Sequence, residues 1–371
     1  MFDRTALQLL PLSTRRNRVR LPGAAVEPEC EPSPLAEREV ETGVRELAEA
    51  VRAARGAGRP RVLAFGAHLV KNGLAPVLIR LIEDGWFTAL ATNGAAIIHD
   101  WELAYQGETS EDVQDGVQHG RFGLWEETGR FLNLALLLGA YRGLGYGESV
   151  GAMIHDNGLT IPTEQALRES VLERLDSEPA EAGAACDLLE IVRSFEIKPG
   201  TVAIEHRFRE YSIQAAAYRL GVPFTAHPMF GHDIIYTHPL NRGAAVGRTA
   251  ERDFLRFADS IAAIESGVYL SVGSAVMSPM IFEKSFSMAM NRALQAGRPI
   301  TNHQIYVVDL AQSSWDWRSD GEPPSDNPAY YLRFLKTFSR MGGRMRYLYG
   351  DNRRILPRLY YLLSAEHSSV S

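Results

Sequence analysis

A chain of 371 residues, 45% hydrophobic and 23% charged, can bury a large core and has the composition of an ordinary globular protein. Its formal charge of −6 and pI of about 6.0 exclude an electrostatic case for nucleic acid or an anionic membrane, which leaves small or neutral partners. Its 2 cysteines, Cys30 and Cys186, lack metal-ligand spacing and exclude a disulfide framework or a cysteine zinc site. The start, Met1 to Thr5, has no basic stretch leading into an apolar run, and no segment approaches ~18 uninterrupted apolar residues, so a cytoplasmic protein is expected.

Residues 1–38 carry Arg15, Arg16, Arg18 and Arg20 and then a Pro/Glu-rich segment, Pro22 to Pro34. They read as an extended arm, or as an arm reaching across a subunit interface. Glu37 to Arg55 reads as a helix leading into the apolar run Val62 to Phe65, which breaks at Gly66. After Ala67 to Gly73 come an apolar helix pattern, Leu74 to Ile82, and a second apolar run, Trp86 to Ala91, that ends in Thr92-Asn93-Gly94 and the polar cluster His99-Asp100-Trp101-Glu102. Strand, glycine turn, helix, strand and glycine turn make a βαβ unit, whose ligands lie beyond the carboxyl ends of the strands.

Thr109 to Val113 looks like a helix start, and two glycines and two acids flank Trp125 as a possible pocket lining before a helix over Arg130 to Tyr141. Gly143 to Gly151 reads as a connection and His155 to Gly158 as a turn. Helices over Ala166 to Leu175 and Ala182 to Ser194 follow. Alternation resumes with strands at Thr201 to Ile204, Val222 to Ala226, Val268 to Val272 and Gln304 to Leu310, separated by helices at Tyr211 to Leu220, Arg252 to Ser266 and Phe282 to Ala296. A polar, Pro-rich segment, Ser314 to Asn327, precedes helices at Tyr330 to Met341 and Arg353 to Leu363. The expected fold is α/β, a Rossmann-like, mostly parallel sheet with helices on both faces. The expected division is an arm (1–38), one α/β domain (39–345) and a C-terminal helical tail (346–371).

Three glycine turns at strand ends, Gly66, Gly94 and Gly273, suit phosphate or ribose, because backbone approaches a ligand closely only where no Cβ intervenes. The three-glycine dinucleotide pattern and the usual acid ending the second strand are both missing. His68, His99, His206, His227, His232 and His238 fall near the same inferred edge, and His99-Asp100, Glu205-His206 and His232-Asp233 place an acid beside an imidazole. Such pairs serve proton transfer near neutral pH or divalent metal binding, and none has the spacing diagnostic of zinc. Arg207 and Arg209 would grip an anion or form local ion pairs. Ser278-Pro279-Met280 and Glu283-Lys284, after Gly273, are candidates for substrate contact.

The order of these motifs resembles deoxyhypusine synthase, an NAD-dependent family with a Rossmann-like fold that moves an aminobutyl group from spermidine to a protein lysine. The segments carrying the resemblance are Ala67 to Gly73, Ala91 to Asp100, Tyr269 to Ala275 and Asp309 to Gln312. The family's catalytic lysine segment falls at Tyr330 to Phe334, which contains no lysine; Lys336 is the nearest. Its spermidine-holding motif falls at Ser278 to Ile281, without the family's residues. The resemblance implies NAD held by His68, Leu69, Thr92, Asn93, Gly94, Gly273, Ser274, Asp309 and Gln312, and a homo-oligomer, the family's own assembly being a tetramer. Asn93 to Glu102 is also similar to a string in the NAD-binding domain of some bacterial arginine- and ornithine-degrading enzymes. Both resemblances imply amine or amino-acid-like substrates.

The leading expectation is therefore an NAD-dependent enzyme that removes hydride from a small amine or amino-acid-like substrate, as oxidoreductase or transferase but without deoxyhypusine synthesis. His99 or His232 would act as base, oriented by Asp100 or Asp233, with Glu127 and Glu205 as second choices to hold a cationic group. No resident metal, nucleic acid or membrane is expected. Two alternatives stand beside it: a noncatalytic NAD- or metabolite-binding subunit, and a metal-dependent hydrolase using His99, His206, His227 and His232.

Overall fold

The computed structural model describes residues 2–28 and 32–365; Cys30 and the last residues of the expected tail, 366–371, lie outside them. The chain forms two compact units. One comprises Ala24–Ala96, Leu220–His227 and Phe254–Ser371, the other Met1–Gly23, Ile97–Arg219 and Pro228–Asp253.

The first of these holds six parallel strands: β1 (Arg61–Phe65), β2 (Ala89–Asn93), β3 (Phe224–His227), β4 (Val268–Val272), β5 (Gln304–Asp309) and β6 (Arg344–Tyr349). Their spatial order is β6-β5-β4-β1-β2-β3, with Val62 opposite Ala89 on one side and Tyr269 on the other. This is the order of a Rossmann-like, doubly wound sheet, whose strand order reverses between β1 and β4. Strands covered on both faces must be apolar throughout. Every residue of β1 and β4 is accordingly buried, and Val62, Ala64, Ala91, Tyr269 and Val307 share one core with Phe282 and Phe338.

Two boundaries in this unit differ from expectation for local reasons. The aromatic run at Trp86 starts no strand: the backbone amides of Trp86 and Phe87 both donate to Leu81 O and close the preceding helix, while Arg55 lies over the Trp86 ring. The ladder begins at Ala89. The edge strand β6 was not anticipated, since Arg344 and Arg346 interrupt its apolar pattern; charges on an edge strand discourage pairing with another chain.

In the other unit, Thr201 to Ile204 does not join the parallel sheet. Gly200–Ala203 pairs antiparallel with Gly158–Ile161 in a ribbon of its own. The helix start expected over Thr109 to Val113 falls at its end, where Asp112 accepts from Asp115 N and caps the helix Val113–Gln118, while Glu108–Glu111 is a strand pairing antiparallel with Asn17–Arg20. The glycine-rich stretch from Gly143 contains a helix, Tyr146–Asp156. Its glycines mark close packing: a Cβ at Gly139 would overlap Ser149 Oγ, and one at Gly151 would lie 2.7 Å from Gln214 O. Glycine here permits helix contact at the cost of helix propensity.

Among the described residues, no helix is long and apolar enough to cross a membrane.

Candidate functional site

The sheet's carboxyl edge is built around its switch point. Gly66 N donates to Val272 O (3.1 Å) and Gly273 N to Val308 O (2.9 Å), so both glycines continue the ladder past the strand ends. A Cβ on Gly66 would overlap Gly273 O and lie 3.2 Å from its carbonyl carbon. Gly273 has φ +56° and leads into the helix Met277–Gln295, where Ser274 Oγ accepts from Ser278 N (3.2 Å). That helix returns to β5, which ends in the half-buried Asp309. One Asp309 oxygen accepts from Ala311 N (3.1 Å) and the other takes no hydrogen bond among the described residues. Glycine turn, long helix and an acid ending the next strand are the parts a mononucleotide site requires, since a helix start can attract phosphate and such an acid can accept from ribose hydroxyls.

The first half, after β1, is built differently. Its helix Ala67–Lys71 is a single short turn with buried Leu69, and burial followed by the Lys71 charge lowers the pKa of His68. Thr92 donates to Phe65 O (2.8 Å) and so ties β2 to β1, while Asn93 accepts from Ala96 N (2.9 Å) just after Gly94. Asn72 donates to Asn352 Oδ1 (2.9 Å), and Gln312 donates to the Tyr349 hydroxyl (3.2 Å) at the β6 side. His227, ending β3, is buried beside Thr225 Oγ1 (3.0 Å), and burial pushes its pKa down to about 3.

All nine cofactor candidates lie in the sheet unit, whereas His99, Asp100, Glu127, Glu205, His232 and Asp233 lie in the other. There Asp100 does not orient His99. Its buried carboxyl accepts from Ser212 Oγ (2.6 Å), Ile213 N (2.9 Å) and Gln214 Nε2 (2.8 Å), so it caps the helix Ile213–Leu220. Burial raises its pKa against those hydrogen bonds.

The acid coupled to His99 is Glu102, three residues on. Buried Glu102 accepts two bonds from the Arg15 guanidinium (2.7 and 2.6 Å), one from Thr128 Oγ1 (3.1 Å) and one from Thr109 Oγ1 (2.5 Å). Burial works against its charge, but Arg15, His99 and Thr109 together hold its pKa below the ordinary carboxylate value. An ionised carboxylate only accepts, so the Thr109 hydroxyl proton points to Glu102 and the Thr109 oxygen accepts from His99 Nδ1–H (2.7 Å). This assigns Nδ1 of His99 as the nitrogen that carries a proton toward Thr109. Neither Arg15 nor Thr109 carries a sequence signal for this role: Arg15 comes from 87 residues away, and Thr109 returns to the helix from the strand that follows it.

The second expected pair also separates. His232 is exposed, while Asp233 is buried, its Oδ2 has no partner, and burial raises its pKa to about 7. The hydroxyls of Tyr146 and Tyr236 likewise have no partner among the described residues. His206 accepts from Trp101 Nε1 (3.1 Å), and burial outweighs the Ile204 carbonyl to lower its pKa to about 4. Glu127 accepts from Leu12 N (2.6 Å), and Glu205 pairs with Arg207 (3.1 Å). His238 lies 3.3 Å from Glu126. Among the described residues no group of three or more His, Cys, Asp or Glu side chains is placed to hold a metal ion.

No protein-family model and no curated protein matches the chain. Solved structures with some likeness include AgrE in ternary complex with ornithine and NAD+, at 16% identity and a TM-score of 0.45, over 90% of this chain and 34% of that one. A conserved LOR/SDH protein from Methanococcus maripaludis S2 is 13% identical with a TM-score of 0.45, over 92% of this chain and 74% of that one. ArgZ, an arginine dihydrolase from the ornithine-ammonia cycle in cyanobacteria, is 15% identical with a TM-score of 0.42, over 89% and 32%. This chain thus spans about a third of the length of AgrE and ArgZ.

Proposed function

We propose that the protein is an NAD-dependent enzyme, related to the deoxyhypusine synthase-like superfamily, that removes hydride from a small amine or amino-acid-like substrate. The observation that carries this reading is the switch point itself: Gly66 packed on Gly273, followed by a 19-residue helix and a strand ending in Asp309. These residues fit a dinucleotide, because Gly273 turns with positive φ and carries no Cβ where a pyrophosphate would approach, and Asp309 keeps one oxygen for ribose. NAD, when bound, supplies the hydride acceptor.

In this reading His99 takes the proton that leaves the substrate nitrogen or carbon. Thr109 and Glu102 hold its ring in the Nδ1–H tautomer and stabilise the imidazolium that forms. Asp100 has a purely architectural role.

The test is cofactor binding followed by turnover. Asp309→Ala should weaken NAD at least ~10-fold, the loss of a charge-assisted pair of ribose hydrogen bonds, while costing only about 1 kcal/mol in unfolding through the lost hydrogen bond from Ala311 N. His99→Gln should bind NAD normally and lose turnover ~100-fold or more. Equal NAD affinity of Asp309→Ala and the native protein would end the proposal.

A noncatalytic NAD-binding subunit is the second reading. It is favoured by the use made of Lys336, whose ammonium sits 3.4 Å over the Tyr330 ring in a cation–π contact. NAD binding without reduction of cofactor by any amine would select it.

A further inference from the structure

We propose that a cleft within the unit that carries His99 is a binding site for an organic ammonium ion. The cleft has a volume of about 480 Å³ and is lined by Tyr105, Glu127, Phe131, Glu205, Arg207 and Phe208 among others. That volume lies within the range of small-molecule sites. The proposal rests on the amine-using reading above for its biological sense, and on the cleft alone for its chemistry.

The apolar wall is rigid and aromatic. Tyr105 stacks on Trp101 with centroids 4.9 Å apart and planes 14° apart, and Phe131 tilts against both at 6.1 and 6.2 Å. His206 stands edge-on to both Trp101 and Tyr105 and, being neutral, anchors the indole by accepting its N–H. Two hydrogen bonds hold the segment around His206: Asn157 Oδ1 accepts from His206 N (3.1 Å), and Ala104 O accepts from Phe208 N (2.9 Å). Aromatic faces attract a cation without fixing its direction.

The polar groups fix the sign of the ligand. Glu127 spends only Oε2, on Leu12 N, and Oε1 has no hydrogen bond among the described residues. The Tyr105 hydroxyl also makes none among the described residues; burial and then the Glu127 charge raise its pKa, and the Arg207 charge lowers it. Arg207 is already paired with Glu205 at 3.1 Å. Glu127 is thus the carboxylate left with capacity. An ammonium donating to Glu127 Oε1 and Tyr105 Oη, with its alkyl chain across Phe131, would satisfy both and use the wall.

The experiment uses the full chain without NAD and 1,4-diaminobutane as probe, with butane-1,4-diol as the neutral isostere, read by saturation-transfer NMR and calorimetry. The diamine should bind and the diol should not. Glu127→Gln, which retains an acceptor for Leu12 N, should weaken the diamine ~10-fold or more, the loss of a charge-assisted hydrogen bond. Phe131→Leu, which keeps the volume apolar, should weaken it several-fold through the lost ring face. No diamine binding, equal binding of the diol, or unchanged affinity in Glu127→Gln would overturn the proposal. Titrating NAD into the same samples separates the two readings: diamine binding without NAD binding keeps this site and removes the oxidoreductase.

Discussion

Replacing Arg15 by Ala should be among the most damaging single changes outside the apolar core. The guanidinium and the Glu102 carboxylate are 2% and 1% exposed, and two short hydrogen bonds join them. Removing one partner of a buried ion pair costs about 3–5 kcal/mol, because the remaining charge stays buried. The guanidinium also lies 5.6 Å from the centroid of the Trp125 ring, a contact worth roughly 0.5–1 kcal/mol. A loss of about 4 kcal/mol at pH 7 follows from these terms.

The loss has a pH signature. In the native protein Glu102 has a depressed pKa, so its contribution is present above the unfolded value and is lost as pH falls through the folded one. Without Arg15, burial dominates and the carboxyl becomes easier to protonate, so stability is lost instead as pH rises above ~4.3. The gap between native protein and variant therefore narrows on acidification. Adding Glu102→Gln should recover about half of the loss, since no charge is then stranded. Urea unfolding of the three proteins at pH 7 and pH 5 measures this. A cost for Arg15→Ala below ~1 kcal/mol, or the same cost at both pH values, would refute the argument.

Gly66→Ala should destabilise the sheet unit by roughly 2–4 kcal/mol and abolish NAD binding, because β1 and β4 must part to clear Gly273 O and strain two ladder hydrogen bonds; urea unfolding and NAD titration check it. Asp100→Ala should cost about 3 kcal/mol in the same unfolding assay by stranding the donors at Ser212 to Gln214, yet leave NAD affinity intact. His206 and His227 bind protons in the unfolded chain below ~6.5 but resist them when folded, so each penalises the fold by about 2 kcal/mol at pH 5 relative to pH 8. Asp233, with its raised pKa, acts in the opposite sense, so the check is the difference in melting temperature between His227→Gln and native protein across pH 8 to 5, which should shift in favour of the variant on acidification.

The parallel sheet was legible because buried parallel strands leave continuous apolar runs, as at Val62 to Phe65 and Val268 to Val272, each ending in a glycine. The Gly273 turn and Asp309 could be read in order along the chain, but that they end neighbouring strands became visible only with the strand order. Chemistry in the other unit was harder to read. Adjacent His99 and Asp100 suggest a pair, but one residue along a helix turns the side chain by about 100°, and a partner reached through Thr109 leaves no spacing signal. Glycine was ambiguous for a related reason: Gly151 marks a close helix contact, which a sequence cannot distinguish from a loop.

The bond from Arg15 to Glu102 spans 87 residues, and this sets an order of events during synthesis. At ~5–20 residues per second the arginine waits roughly 4–17 s for its carboxylate to be made. Until then the N-terminal segment has nothing to dock on, and afterwards the helix bearing Glu102 cannot bury its charge until that segment returns. The segment bearing Arg15 is thus committed only after Glu102 has been made, and anything that occupies it in the interval, such as a chaperone, delays this pairing.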